Sequence, residues 1–183
     1  MTQRRTLVLA FVWAFLVVFS VHFVDFQGSV PRFRAASRGG VLLDVSPAFT
    51  ADTIYKRLSD YGEEGRQSHS RRNVTVDLIL PLSLLPFLFL LIFNALASLQ
   101  INRLLRALLL SFSFAYVFLD FAENAAVLAL LVRYPERMDL VAMILPYVTL
   151  VKRVASLLAL FVPLAIFGFR FLRGKFQTLR VSV

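Results

Sequence analysis

The sequence contains no cysteine, which removes disulfides, thiolate nucleophiles, Cys-ligated zinc and iron–sulfur clusters together. It has two histidines, too few for the ligand sets of His-rich membrane metal hydrolases. A Gly-rich phosphate loop, a Ser nucleophile elbow and a metalloprotease helix motif are all missing, as are internal repeats and low-complexity tracts. Nothing in the chain calls for a cofactor or a metal, and an enzyme is the weaker reading. Acidic residues are also scarce, 11 against 20 Lys and Arg, for a formal charge of +9. In a soluble protein that imbalance would point to nucleic acid. Here the basic residues gather at the ends of apolar runs, where they act as membrane anchors and orientation signals, so no nucleic-acid partner is expected.

What is plentiful is hydrocarbon. The chain is 58% hydrophobic with 19 Phe, and its mean hydropathy is +0.73. This composition predicts an all-α integral membrane protein. About four spans are expected, over residues 7–26, 74–99, 104–132 and 140–171, in a single membrane domain covering 1–183. Each run is long enough to cross a hydrocarbon core of about 30 Å at about 1.5 Å per residue. The first follows Arg4 and Arg5 and carries no A-x-A-like cleavage site after Val18 or Ser20, so it reads as a retained anchor. The second contains Pro81 and Pro86, which free the carbonyls of Asp77 and Leu82. The fourth is long, holds Pro146 and Pro163, and reads as a bent or broken helix.

Residues 27–73 form a 47-residue hydrophilic loop broken by glycine and proline. Within it Ser46-Pro47 reads as a helix start, Ser as N-cap and Pro at the first helical position. Ile54, Tyr55, Leu58 and Tyr61 then share one face, giving a short amphipathic helix. Asn73-Val74-Thr75 is a formal glycosylation sequon pressed against the second span, and reads as chance. Arg4, Arg5, Arg103, Arg106, Arg170, Arg173, Lys175 and Arg180 fall on one side of a four-span arrangement without an acid among them. That density puts both termini in the cytoplasm or matrix.

The charges inside the apolar runs carry the most chemistry. Asp120, Glu123 and Asn124 are spaced i, i+3, i+4 and so share a helix face, with Ser113 and Tyr116 extending the stripe. Counted from the turn between the third and fourth spans, Asp120 and Lys152 lie equally deep, about 18 Å in. Two acids therefore face Lys152 and Arg153 at mid-membrane depth. Unpaired, four such charges would cost roughly 10 to 14 kcal/mol on the insertion scale, so pairing is close to obligatory. Either the paired cluster is a lock between helices or it is a relay for protons or ions. Weaker loop-side candidates are His22 and Asp25, spaced i, i+3, and His69 and Asp77, which could approach the same surface. On the third span Ala122, Ala125, Ala126 and Ala129 give small-xxx-small pairs suited to close helix packing.

Read together, Leu43-Asp44, Tyr61-Gly62-Glu63-Glu64-Gly65-Arg66, Asp77 with Pro81, Asp120-x-x-Glu123-Asn124, Tyr134-Pro135 and Lys152 resemble a group of small four-helix membrane proteins, found as hypothetical proteins in bacteria and protists. The resemblance covers roughly residues 42–153 and implies the architecture without an activity. Such proteins tend to carry an aromatic after the Lys, where this chain has Arg153. The resemblance further implies that the Gly-x-x-Gly-Arg turn sets Arg66 near the mouth of the bundle, in reach of Asp77 or a lipid phosphate. The leading functional expectation is an accessory or scaffolding subunit of a larger membrane assembly, for instance a respiratory one, with lipids and other subunits or a second copy as partners. The alternatives are a small transporter or channel using Asp120, Glu123 and Lys152, and a membrane enzyme at the loop-side surface of Asp25, His69 and Asp77.

Overall fold

A computed structural model describes residues 3–97 and 99–181, with side chains as far as Leu172. The side chains of Arg173, Lys175 and Arg180, counted above for orientation, lie outside the described residues. All regular structure among the described residues is helical: α1 (Gln3–Phe23), α2 (Val30–Ala36), α3 (Ala51–Asp60), α4 (Gly62–Asn73), α5 (Val76–Leu96), α6 (Arg103–Arg133) and α7 (Asp139–Val181). Four helices are long and apolar enough to cross a membrane, Gln3–Phe23, Gly62–Leu96, Arg103–Arg133 and Asp139–Leu172. In the second of these the apolar stretch is α5, whose 21 residues rise about 31 Å, a full hydrocarbon thickness.

Both α5 and α7 run unbroken through their prolines. Pro81, Pro146 and Pro163 are fully buried, and so are Ala142 and Ala159, four residues before the two prolines of α7. A side chain of one methyl there leaves room for the ring and the displaced carbonyl, so of the bent or broken fourth helix expected, the break does not occur.

Between α1 and α5 the chain folds into a cap of three short helices. The start expected at Ser46-Pro47 is displaced: α3 begins at Ala51, and Thr50 caps it by accepting from the Thr53 N–H at 3.3 Å. Ser46 is held elsewhere, because its carbonyl and Oγ both accept from the Arg57 guanidinium. Ile54, Tyr55 and Leu58 of α3 are buried while Lys56 and Asp60 face out and pair with each other at 2.9 Å. Tyr61 closes α3 and donates its hydroxyl to the Val41 carbonyl; burial pushes its phenol well above the ordinary value, which keeps it a neutral donor. Gly65 has a structural reason. A Cβ there would sit 3.0 Å from the Ser37 Cα and from the Tyr61 Cβ, so α4 passes the end of α2 closely only with glycine.

The described residues form two apolar cores. One joins Phe33, Leu42, Leu43, Ile54, Tyr55 and Leu58 of the cap to Val127, Leu130, Leu131, Ala142 and Leu145 at the α6–α7 hairpin. The other joins Leu88, Ile92 and Leu96 of α5 to Tyr116, Val117, Ala155 and Ala159 lower on α6 and α7. The hairpin ends of α6 and α7 are therefore part of the cap. Tyr55 of α3 fastens this end by donating to the Glu136 carbonyl at 3.2 Å.

Candidate functional site

The polar layer occupies the gap between the two cores. On α6 it takes Asp120, Glu123 and Asn124; on α7 it takes Thr149 and Lys152. All but Lys152 are buried, and Glu123 is 0% exposed. The i, i+3, i+4 spacing aims the three α6 side chains at α7 and α5. Lys152 Nζ donates to Asp120 Oδ1 at 3.0 Å and to Glu123 Oε2. The Thr149 hydroxyl donates to Glu123 Oε1. Asn124 Nδ2 donates to Asp120 Oδ2 at 3.0 Å and to the backbone carbonyl of Asp77 at 2.9 Å. That last acceptor is the carbonyl Pro81 frees on α5. The proline makes an orphan acceptor four residues back, and the amide of a neighbouring helix satisfies it. Every carboxylate oxygen of Asp120 and Glu123 thus has a donor, and three long helices meet in one network.

Arg153 does not join it. One helical step past Lys152 turns its side chain about 100° away, and its Nη2 donates instead to the carbonyls of Asp44 at 2.8 Å and Val45 at 2.6 Å. It fastens the cap loop onto α7. The acid–base set is consequently two carboxylates on one ammonium rather than two on two.

The layer lies level with the start of α5. Asn124 is bonded to Asp77, in the first turn of α5, so nearly the whole of α5 lies to one side of it. The helix ends flanking the α6–α7 turn pack into the cap through Leu130, Leu131, Ala142 and Leu145, while the turn itself, at Arg133, Pro135, Glu136 and Arg137, is exposed. The layer sits at the boundary between cap and long-helix bundle, with Asp120 about one turn, or about 6 Å, deeper than Asn124.

A second buried pair continues it toward the cap. Arg72 at the end of α4 places Nη2 2.8 Å from Asp77 Oδ1 and donates from Nη1 to the Gly28 carbonyl at 3.0 Å. Asp44 acts electrostatically on His69, Asp77, Asp120 and Lys152, so the loop between α2 and α3 brings a further carboxylate to this layer. His69 is 1% exposed and packs between the rings of Phe33 and Tyr61, at 5.1 and 6.0 Å between centroids. Among the described residues its Nδ1 has no hydrogen-bond partner, and neither does Asp44 Oδ1.

The loop-side candidates separate. His22 is exposed and donates from Nδ1 to the Val18 carbonyl at 2.8 Å. Asp25 is exposed on a surface cleft, His69 is enclosed, and Asp77 is taken by Arg72. These residues form no common surface, and among the described residues no group of His, Asp and Glu could hold a metal ion. Arg66 does not pair with Asp77: half-buried, it donates to the Leu58 carbonyl at 3.0 Å and lies over the Tyr134 ring at 4.2 Å, so it serves the packing of α4 against the hairpin.

Asp44, Arg72 and Thr149 were not singled out as site residues from sequence. The signal for Asp44 was its place in the family-like pattern; Arg72 in a run of basic residues and Thr149 in an apolar run carried none. No family model, no curated protein and no solved structure matches the chain.

Proposed function

We propose that this chain is a multi-pass membrane protein that serves as a non-catalytic, helix-packing subunit of a larger membrane assembly. The observation that carries the reading is the closure of the polar layer. Each carboxylate oxygen of Asp120 and Glu123, and two of the three N–H donors of the Lys152 ammonium, are engaged inside the chain, which suits a lock that sets the register of α5, α6 and α7. The same helix leaves a small-residue face unused: Ala122 and Ala125 are exposed on α6, beside the exposed Phe118 and Val132. Small residues facing lipid permit the close approach of a further helix, where no water drives association. Extraction from native membranes in a mild detergent, followed by capture on a terminal tag, is expected to bring other membrane polypeptides in fixed stoichiometry. Recovery of a lone monomer sinks the subunit reading.

In this reading α1 and α6 run toward the cap and α5 and α7 away from it, with both termini on the side opposite the cap. Arg4, Arg5, Arg103, Arg106 and Arg170 cluster at that end, favouring the cytoplasmic or matrix face. The cysteine-free sequence makes a clean test. In sealed membranes with that face inside, an impermeant maleimide is expected to label a Ser59→Cys variant, on the exposed face of α3, and to spare a Thr6→Cys variant at the start of α1. The reverse pattern inverts the topology.

A further inference from the structure

Two cavities lie where α1 hands over to the cap, with Phe26 in the lining of both. The larger is a cleft of about 700 Å³ between the 25–28 connector, α2 and one face of α4, within the range of small-molecule sites. Its charged lining is Asp25, Arg32, Glu64 and Arg71. All four are exposed, and none of them is in an ion pair among the described residues. The smaller cavity, about 290 Å³, is an apolar groove between α1 and the first turn of α5, walled by Trp13, Leu16, Val17, Val21, Val76 and Ile79. It runs down from Phe26 along α1, from Val21 to Trp13, for about 12 Å.

We infer that the two cavities together bind one phospholipid with a primary-amine zwitterionic headgroup, of the phosphatidylethanolamine kind: the headgroup in the charged cleft, an acyl chain in the groove. The inference rests on the membrane reading given above. An anionic lipid would be served by the two arginines but opposed by the two carboxylates. A quaternary ammonium offers the carboxylates no N–H and is better met by aromatic faces. A phosphate beside a primary ammonium fits both pairs at once, the phosphate on Arg32 and Arg71 through charge-assisted hydrogen bonds and the ammonium on Asp25 and Glu64. The floor of the cleft is fixed. Gly28 sits at φ +96, a Cβ on it would meet Val76 Cγ2 at 2.9 Å, and its carbonyl is held by Arg72.

Trp13 is the only tryptophan, and it lies in the groove, so its fluorescence reports occupancy directly. The protein is reconstituted into phosphatidylcholine vesicles doped with lipids brominated on the acyl chain. Brominated phosphatidylethanolamine is expected to quench Trp13 with an apparent association about fivefold that of brominated phosphatidylcholine, the factor one exposed charge pair provides. An Asp25→Asn/Glu64→Gln variant, which removes the carboxylates that meet the primary ammonium, is expected to abolish that excess while quenching by brominated phosphatidylcholine is unchanged, which also shows the variant inserted. Equal quenching by the two lipids in the unaltered protein overturns the site and leaves the membrane reading standing. Quenching by brominated phosphatidic acid as strong as by phosphatidylethanolamine overturns the role of the carboxylates. No quenching by any brominated lipid overturns the membrane reading itself.

Discussion

Replacing Lys152 by Met is expected to destabilise the protein by about 3 to 5 kcal/mol, the usual cost of removing one partner from a buried ion pair. Met keeps the length of the side chain and removes the charge, leaving Asp120 and the fully enclosed Glu123 without their shared cation. The measurement is unfolding by SDS titration in mixed micelles, followed by circular dichroism. If the layer is a lock, neutralising the acids must relieve most of the loss. The triple variant Lys152→Met/Asp120→Asn/Glu123→Gln is then expected to be markedly more stable than Lys152→Met alone, with a coupling of about 1 to 3 kcal/mol. A Lys152→Met cost below about 1 kcal/mol would mean the ammonium is solvated and the lock does not exist. The Asp120→Asn/Glu123→Gln variant separates lock from relay. A lock leaves its proton flux in liposomes the same as that of the unaltered protein, whereas loss of a measurable flux with the fold retained would make the two carboxylates a relay.

This layer is partly legible in the sequence. Asp120, Glu123 and Asn124 share a helix face by spacing alone, and counting residues from the α6–α7 turn sets Lys152 opposite Asp120, because antiparallel helices rise at one rate. The carbonyl freed by Pro81 was legible in the same way, though not its acceptance of Asn124. What could not be read is anything set by the cap. Of residues 127–132 and 140–145, which hydropathy counts into the spans, Val127, Leu130, Leu131, Ala142 and Leu145 pack in the core with Phe33, Ile54 and Leu58, while Val132, Leu140, Met143 and Ile144 are exposed. Periodicity does not distinguish a helix face bound for lipid from one bound for a protein core. Arg153 was misassigned for a related reason: adjacency in sequence was read as adjacency in space, although neighbouring helical residues point about 100° apart.

Replacing Arg72 by Met is expected to cost a similar 3 to 5 kcal/mol, but to distribute the damage differently. The Arg72 side chain is 3% exposed and connects three segments: its own α4, the Asp77 carboxylate at the head of α5, and the Gly28 carbonyl in the connector from α1. Without it a buried carboxylate loses its cation and a buried carbonyl its donor, and both penalties fall on the junction of cap and bundle. Hydrogen–deuterium exchange is the measurement that tells the two variants apart. In the Arg72→Met protein the amides of residues 25–36 are expected to exchange faster, since the connector and α2 hang from Gly28, while those of the lower α6–α7 core stay protected. In Lys152→Met protection is expected to fall along α6 and α7 first. A Gly28→Ala variant offers an independent route to the same loosening, because its Cβ would press on Val76 at a left-handed φ. If Arg72→Met and Gly28→Ala leave exchange at residues 25–36 unchanged, Arg72 does not tie the connector down. If both raise it, the two apolar cores are joined by two separate polar fastenings, Lys152 holding helix to helix and Arg72 holding cap to bundle.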